Sequence, residues 1–314
     1  MSGDENEIKN HFPFHEYCAF CKTECRHIDS ESEYILITNI WNERIHIERT
    51  FKWISKQTKQ PKIWLWIDDG STDGSRNEIE RLSETLPNTE IWIKSMPEKI
   101  VGSLDEIGIA YDTIIPPLRN AIDKVKIDYL TIMDVDTEPC PNYYTRMMSL
   151  MNNHPEVGAA VGIPIGEIGR RRVDLPMGSA KVIRWKIVRE IDRYWDIAPD
   201  TLLNIKALVR GYKLKIWKIP IRLEEPTQGF SSRGVYRLGR LNYYVGRPFW
   251  AVLFRALRRF FLRQHGTQML RGYFYERKKG TWRFDDPDVK WFYNQGTNPI
   301  SAFLEILRFI QLKD

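Results

Sequence analysis

Two acidic groups stand out for the chemistry they can do. Residues 67–75 read IDDGSTDGS, with Asp68 and Asp69 side by side after an apolar run; residues 133–139 read MDVDTEP, with Asp134 and Asp136 one residue apart. Alone, the first group reads as an ordinary turn in which Asp and Ser cap the next helix and Gly supplies turn geometry. The second is a small signal alone, because turns are rich in Asp. Together they carry information. Two carboxylates spaced by one residue at a bend can reach one hard cation, and Mg2+ or Mn2+ takes oxygen ligands while bridging phosphates. A departing diphosphate needs its charge neutralised in this way.

Such carboxylates act together only if the fold brings them to one rim. EYILITN (33–39), KIWLWID (62–68), EIWIKS (90–95) and DYLTIMDVD (128–136) read as strands, being short, apolar and rich in β-branched and aromatic residues. Ile47, Phe51 and Ile54 recur at helical spacing between the first two. Ser75 and Glu78 have capping-box spacing ahead of Ile79, Leu82 and Leu86, and PPLRNAIDKV (116–125) starts a helix with proline in its first turn. Strand and helix in alternation predict an α/β, Rossmann-like, mostly parallel sheet flanked by helices. In such sheets ligands bind outside the carboxyl ends of the strands, where Asn39, Asp69 and Asp136 fall.

On these residues the chain resembles the family 2 glycosyltransferases of GT-A fold. ITNIWNER (37–44), IDDGSTDGS (67–75), LRNAID (118–123) and MDVD (133–136) are similar, in order and spacing, to the successive motifs of that family, across roughly residues 33–225. The resemblance implies an inverting hexosyltransferase that moves a sugar from a UDP- or GDP-sugar to a hydroxyl of a glycan or lipid-linked acceptor, with Mn2+ or Mg2+. Carried over by position, it puts Asn39, Asn42 and Glu43 at the nucleotide end of the first strand; Asn39 stands where many members have proline. It makes Asp69 a hydrogen-bond acceptor for the base, and sets Arg119 and Asn120 near the donor's phosphates and ribose. Asp134 then approaches the ribose and shares the metal with Asp136.

Inversion also needs a carboxylate to deprotonate the acceptor hydroxyl. The family keeps it in an acidic motif opening a helix beyond the Asp-x-Asp, where this chain reads WDIAPDTLLNIKALVRGYKL (195–214). The usual Glu-Asp pair is Pro199-Asp200, so Asp200 is the expected base and Asp196 the substitute. A plain helix cap is the competing role for Asp200. PMGSA (176–180) resembles the loop flooring the acceptor site.

The resemblance stops short of both ends. YCAFCKTECRH (17–27) gathers Cys18, Cys21, Cys25 and His27, the right number of ligands for structural Zn2+, although the pattern lacks the usual long spacer and ordinary thiols are the alternative. GRPFWAVLFRALRRFFLRQ (246–264) combines Phe249, Trp250, Leu253, Phe254, Leu257 and Phe261 with Arg255, Arg258, Arg259 and Arg263. As a helix it is basic and amphipathic, suited to an anionic membrane surface, with a soluble-core helix as the alternative. Arg233, Arg237 and Arg240 share helical spacing and can hold an acceptor phosphate or simply line a surface. Three regions result: an N-terminal segment (1–32), the glycosyltransferase-like domain (33–225) and a mainly helical basic and aromatic extension (226–314).

Bulk properties narrow the partners. Of 314 residues, 42% are hydrophobic and 28% charged, which excludes wholesale disorder, and 47 Lys+Arg against 41 Asp+Glu leave a net charge of +6. No stretch has the pattern of a signal peptide, and the longest apolar run, around Phe249 to Phe254, falls far short of the ~20 residues a spanning helix needs. The expected location is cytoplasmic, peripheral on the inner face of the membrane. A nucleotidyltransferase would normally show a Gly-rich phosphate loop near its first strand, and none is there. A nucleic-acid binder would account for arginines among aromatics but leave the aspartates unexplained, since carboxylates on a rim repel phosphates without a metal, so no nucleic-acid partner is expected.

Overall fold

The strands form where β-branched and aromatic side chains are densest. The computed structural model describes residues 31–96, 119–120, 122–165, 176, 178–191, 199–223 and 231–294, together with a short antiparallel pair, Tyr17–Cys18 (β1) and Thr23–Glu24 (β2). Tyr34–Ile40 (β3), Ile63–Asp68 (β4) and Glu90–Ser95 (β5) run parallel, with Ile40 opposite Asp68 and Asp68 opposite Ser95, so their carboxyl ends are level. Arg44–Ser55 (α1) and Ser75–Leu82 (α2) make the crossovers. Tyr129–Ile132 (β6) joins the other side of β3, in parallel.

The strand expected over 128–136 ends at Ile132; Met133–Asp136 is a turn, closed by the Thr137 N–H donating to the Asp134 carbonyl at 3.1 Å. Past that turn the sheet becomes mixed. Thr137–Pro139 (β7), Val157–Ile165 (β8), Lys181–Arg184 (β9) and Lys213–Leu223 (β10) complete eight strands in the order β5-β4-β3-β6-β9-β8-β10-β7. β9 lies antiparallel between β6 and β8, and β7 is antiparallel to β10. Tyr143–Asn153 (α3), Trp185–Arg189 (α4) and Pro199–Val209 (α5) connect these later strands, and 119–120 and 122–124 are helical as expected.

Packing explains the apolar stripes. Ile47, Phe51 and Ile54 of α1 are buried against the sheet, where Phe51 stacks on Trp66 with ring centroids 5.6 Å apart. Each such side chain contributes about 2 kcal/mol when fully buried. Ile79, Leu82 and Leu86 bury the inner side of the second crossover. Its cap differs from expectation: α2 begins at Ser75, after Gly74 at φ +85°, and the Asp73 carboxylate accepts the Ser75 N–H at 3.0 Å. Glycine alone takes that left-handed turn without steric cost. Glu78 pairs with Arg81 rather than closing a capping box.

The chain divides into two compact units, Met1–Glu224 and Glu225–Asp314. The second holds Ser232–Tyr244 (α6), Phe249–Phe261 (α7), Gly266–Lys279 (α8) and Pro287–Asn294 (α9). Helices α6 and α8 cross closely at Gly239 and Gly272, where an added Cβ would strike the Met269 and Tyr236 carbonyls. Arg240 is buried in an ion pair with Glu276, which also accepts the Thr281 hydroxyl. That corrects the grouping of Arg240 with Arg233 and Arg237 as an acceptor-phosphate site: a buried, neutralised guanidinium holds two helices together instead.

Helix α7 buries small residues and leaves the aromatics of its last turn open. Val252 and Ala256 meet Val235, Tyr243, Met269 and Tyr273, with Phe249 packed beside them, and Ala251 is buried too. Leu257, Phe260 and Phe261 stay open, at 38%, 59% and 44% exposure, so the large apolar residues of the last turn lie outside the core. Among the described residues no helix is long and apolar enough to cross a membrane. Cys18 falls in β1, but the side chains of the cluster with Cys21, Cys25 and His27 lie outside the described residues.

Candidate functional site

The level carboxyl ends of β3 and β4 carry the first acidic group, and its two aspartates divide the work. Asp68 shapes the turn: its carboxylate accepts the Ser71 N–H at 2.8 Å and the Ser95 hydroxyl at 3.3 Å. Asp69, buried beside it, is fixed by its N–H donating to the Ile40 carbonyl at 2.9 Å. Asn39, half-buried near the end of β3, shares this rim.

The Gly-Ser-Thr-Asp-Gly loop is stitched to the start of α1. The Asn42 N–H donates to Ser71 Oγ at 2.9 Å, and Asn42 Oδ1 accepts the Thr72 N–H at 2.8 Å. The N–H groups of Glu43 and Arg44 donate to Ser75 Oγ at 3.1 Å and to the Asp73 carboxylate at 3.0 Å. Partial burial pushes the Asp73 carboxyl upward, but hydrogen bonds from Ser75 and the Arg44 N–H reverse this and hold it below the usual carboxylate range. Asn42 sits at φ +55° and commits its amide oxygen to this loop. Glu43 faces His46 at 3.5 Å. Asn120 is exposed, whereas Arg119 buries Nε and Nη2 with no hydrogen-bond partner among the described residues. A guanidinium left in that state suits an anion.

Asp134 and Asp136 occupy the turn after β6, and three side-chain groups set its shape. The Asp134 N–H donates to Ser179 Oγ at 2.9 Å, the Ser179 hydroxyl donates to Thr137 Oγ1 at 2.6 Å, and the Thr137 hydroxyl reaches Asp136 Oδ1 at 3.4 Å. Asp134 keeps an exposed surface, yet dense protein surrounds it and its carboxyl is pushed up to about 7. Burial is the first cause, followed by the like charges of Asp136 and Asp200, with Glu43 adding to them and Ser179 opposing.

Asp200 is the second residue of α5, its side chain 29% exposed. Two neighbours were not legible in the sequence. The Lys181 side chain is fully buried, and its Nζ donates to the Asp200 carbonyl at 2.7 Å and lies 3.9 Å from Asp200 Oδ2. Gly178 leaves room for the same carboxylate: an added Cβ would sit 3.3 Å from Oδ2. A lysine inside the apolar run SAKVIRW was the available signal. Ser179 of the PMGSA segment thus holds the Asp134 turn and Gly178 lies against Asp200, while Lys181, the next residue after the segment, holds Asp200. Asp196 lies outside the described residues.

The donor set fits one kind of metal. Among the described residues no three His, Cys, Asp or Glu side chains gather into a metal-holding group, so a closed all-protein cage is not offered. Mg2+ and Mn2+ need none: one or two carboxylates suffice when substrate phosphates complete the shell. The mutual repulsion that raises Asp134 is what a divalent cation would relieve.

No protein-family model matches the chain, and no curated protein matches it by sequence. Solved structures do match. A mannosyltransferase from Pyrobaculum calidifontis, PcManGT, solved with GDP-Man and Mn2+, aligns over 89% of this chain and 80% of its own at 17% identity, with a TM-score of 0.52. S. aureus TarS aligns over 67% of this chain at 15% identity and a TM-score of 0.49; the matched part spans only 39% of TarS. Glucosyl-3-phosphoglycerate synthase from Mycobacterium tuberculosis, solved with Mn2+ and UDP, aligns over 68% of this chain and 79% of its own at 13% identity and a TM-score of 0.44. The fold is therefore that of the GT-A-like glycosyltransferases, an eight-stranded mixed sheet flanked by helices.

Proposed function

We propose that the chain is an inverting glycosyltransferase using a nucleotide-diphosphate sugar and Mn2+ or Mg2+. The observation that carries this reading is that the like charges of Asp136, on the same turn, and of Asp200, at the start of α5, both bear on Asp134. The P. calidifontis enzyme of like fold, solved with GDP-Man and Mn2+, supports the donor and metal. When bound, the divalent cation neutralises the diphosphate.

The chain's own residues have separate tasks in this reading. Asp69 and Asn39, on the strand-end rim, receive the base, and Glu43 and Asn42 close its edge. Arg119 and Asn120 hold phosphate and ribose, and Asp134 and Asp136 hold the cation. Asp200 accepts the acceptor's hydroxyl proton as that oxygen bonds to the anomeric carbon. The anomeric C–O bond to the diphosphate breaks, the leaving group departs with the electron pair, and the configuration inverts. A thermal-shift panel of UDP, GDP, UDP-GlcNAc and GDP-mannose, each with Mn2+ or EDTA, tests the donor. A donor at 100 times its Kd stabilises the native state by about 2.7 kcal/mol, so the preferred base should raise the melting temperature by several degrees with Mn2+. No stabilisation by any nucleotide with Mn2+ would remove the proposal.

The acceptor is proposed to be a glycan or lipid-linked glycan at the inner face of a membrane. Leu257, Phe260 and Phe261 are exposed on α7 among Arg255, Arg258 and Arg263. Arg259 is held below the usual arginine range, by burial first and then by the positive charges of Arg255 and Arg258, so this face favours an anion. Each arginine near an anionic surface contributes about 1 kcal/mol. Wild-type protein should bind phosphatidylglycerol vesicles at low salt, and replacing Arg255, Arg258, Arg259 and Arg263 with Gln should release it with donor binding intact. Indifference of the wild type to such vesicles would point to a soluble acceptor.

A further inference from the structure

A lysine with no exposed surface is costly, since desolvation penalises its charge by several kcal/mol in real proteins. Lys181 is such a residue, on β9 and 0% exposed. It cannot touch a substrate. Its ammonium donates to the Asp200 carbonyl at 2.7 Å and lies 3.9 Å from Asp200 Oδ2, and no other ion pair to it exists among the described residues. Asp200 thus has Lys181 beside it, from β9, and its like charge bears on Asp134 of the turn after β6.

We infer that Lys181 is a positioning residue for the proposed base: its buried ammonium, on the strand β9, bonds the Asp200 backbone and stands against the Asp200 carboxylate, fixing both. This rests on reading Asp200 as the base. The geometry gives the reason. Asp200 opens α5, where a helix end frays most readily, and a bond to its carbonyl from a rigid strand fixes that first turn against β9. Gly178 and Ser179, on the segment leading into β9, tie the same stretch of chain to the Asp200 carboxylate and to the Asp134 turn.

The test uses the full chain, wild type beside Lys181→Met, which preserves length and bulk. In the variant, exchange of the amides at 204–206 should quicken about tenfold or more, and kcat for sugar transfer should fall about tenfold or more with the donor KM unchanged, because only the proposed base is displaced. Unchanged exchange, or quickened exchange with kcat intact, overturns the inference, as does a fall in kcat matched by a lower melting temperature and a raised KM, which would mark a packing role.

If Lys181→Met does not fold, the wild type and Asp200→Asn supply the answer from the other side. Burial lowers Lys181 to about 8 from 10.5, with Asp200 acting against the fall. Between those values the unfolded chain binds the extra proton, so stability rises with pH above about 8 in the wild type. That rise should begin at lower pH in Asp200→Asn, where the supporting carboxylate is gone; an unshifted onset overturns the inference. Failure of the base reading shows separately, as retained sugar transfer in Asp200→Asn, and leaves the Lys181 measurements standing.

Discussion

Asp200→Asn is expected to lose sugar transfer by about 10^2- to 10^4-fold, the usual contribution of a positioned general base, with donor affinity close to wild type. Asparagine keeps the size of the side chain and most of its capping ability, so α5 should still begin at Pro199 and still receive the Lys181 bond at the backbone carbonyl of residue 200. What it cannot do is accept a proton at neutral pH. The split decides between the two roles of Asp200. A helix cap would show as a lower melting temperature with turnover falling only in proportion, whereas a base shows as a lost rate at preserved stability. Transfer assays beside thermal unfolding measure both. Retained turnover would move the base to Asp196 or elsewhere.

Asp136→Ala should weaken Mn2+-dependent donor binding at least tenfold, which is about 1.4 kcal/mol, and EDTA should do the same to the wild type. Mg2+ and Mn2+ rely on very few protein oxygens when phosphates complete the shell, so losing one carboxylate is a large fraction of the site. The substitution has a second expected effect of opposite sign. Asp136 is the first of the like charges that raise Asp134, so removing it relieves repulsion in the metal-free protein. The unliganded variant should therefore melt no lower than wild type while binding the nucleotide more weakly, as calorimetry with UDP or GDP and Mn2+ would record. Equal affinity for all nucleotides in wild type, variant and EDTA-treated protein would take the metal away from Asp136.

The parallel half of the sheet is legible because its signals are local. β3, β4 and β5 are short apolar runs separated by helices with clear stripes, and a run of that kind has few other ways to bury itself. The position of Asp68 and Asp69 at a strand end follows from the same alternation, whereas Asp136 lies beyond the end of β6, in the turn that leads to β7. Residue type alone does not divide Asp68 from Asp69; the resemblance singled out Asp69. Only the approach of Ser71 and Ser95 makes the first a turn-former, and only the edge of β3 fixes the second.

The later strands depend on partners far along the chain. β9 is four residues long, and what makes KVIR a strand is its place between β6 and β8, neither of which its local pattern announces. β-propensity is in large part packing against neighbours, so a central strand that short has little intrinsic signal. The same reason hid the surroundings of Asp200. Its type and its helix opening could be read from Pro199-Asp200 and the apolar residues that follow, but Lys181 and Gly178 stand about twenty residues earlier and reach it only after β9 is seated. In α7 the stripe of six large apolar residues left a membrane surface and a core as alternatives, and packing buried Ala251, Val252 and Ala256 while leaving Phe260 and Phe261 outside, because close approach of helices favours small side chains. Residue type and spacing were enough to specify which groups could hold a cation or take a proton; which of them meet, and over what buried charge, was settled by long-range contacts that no local window contains.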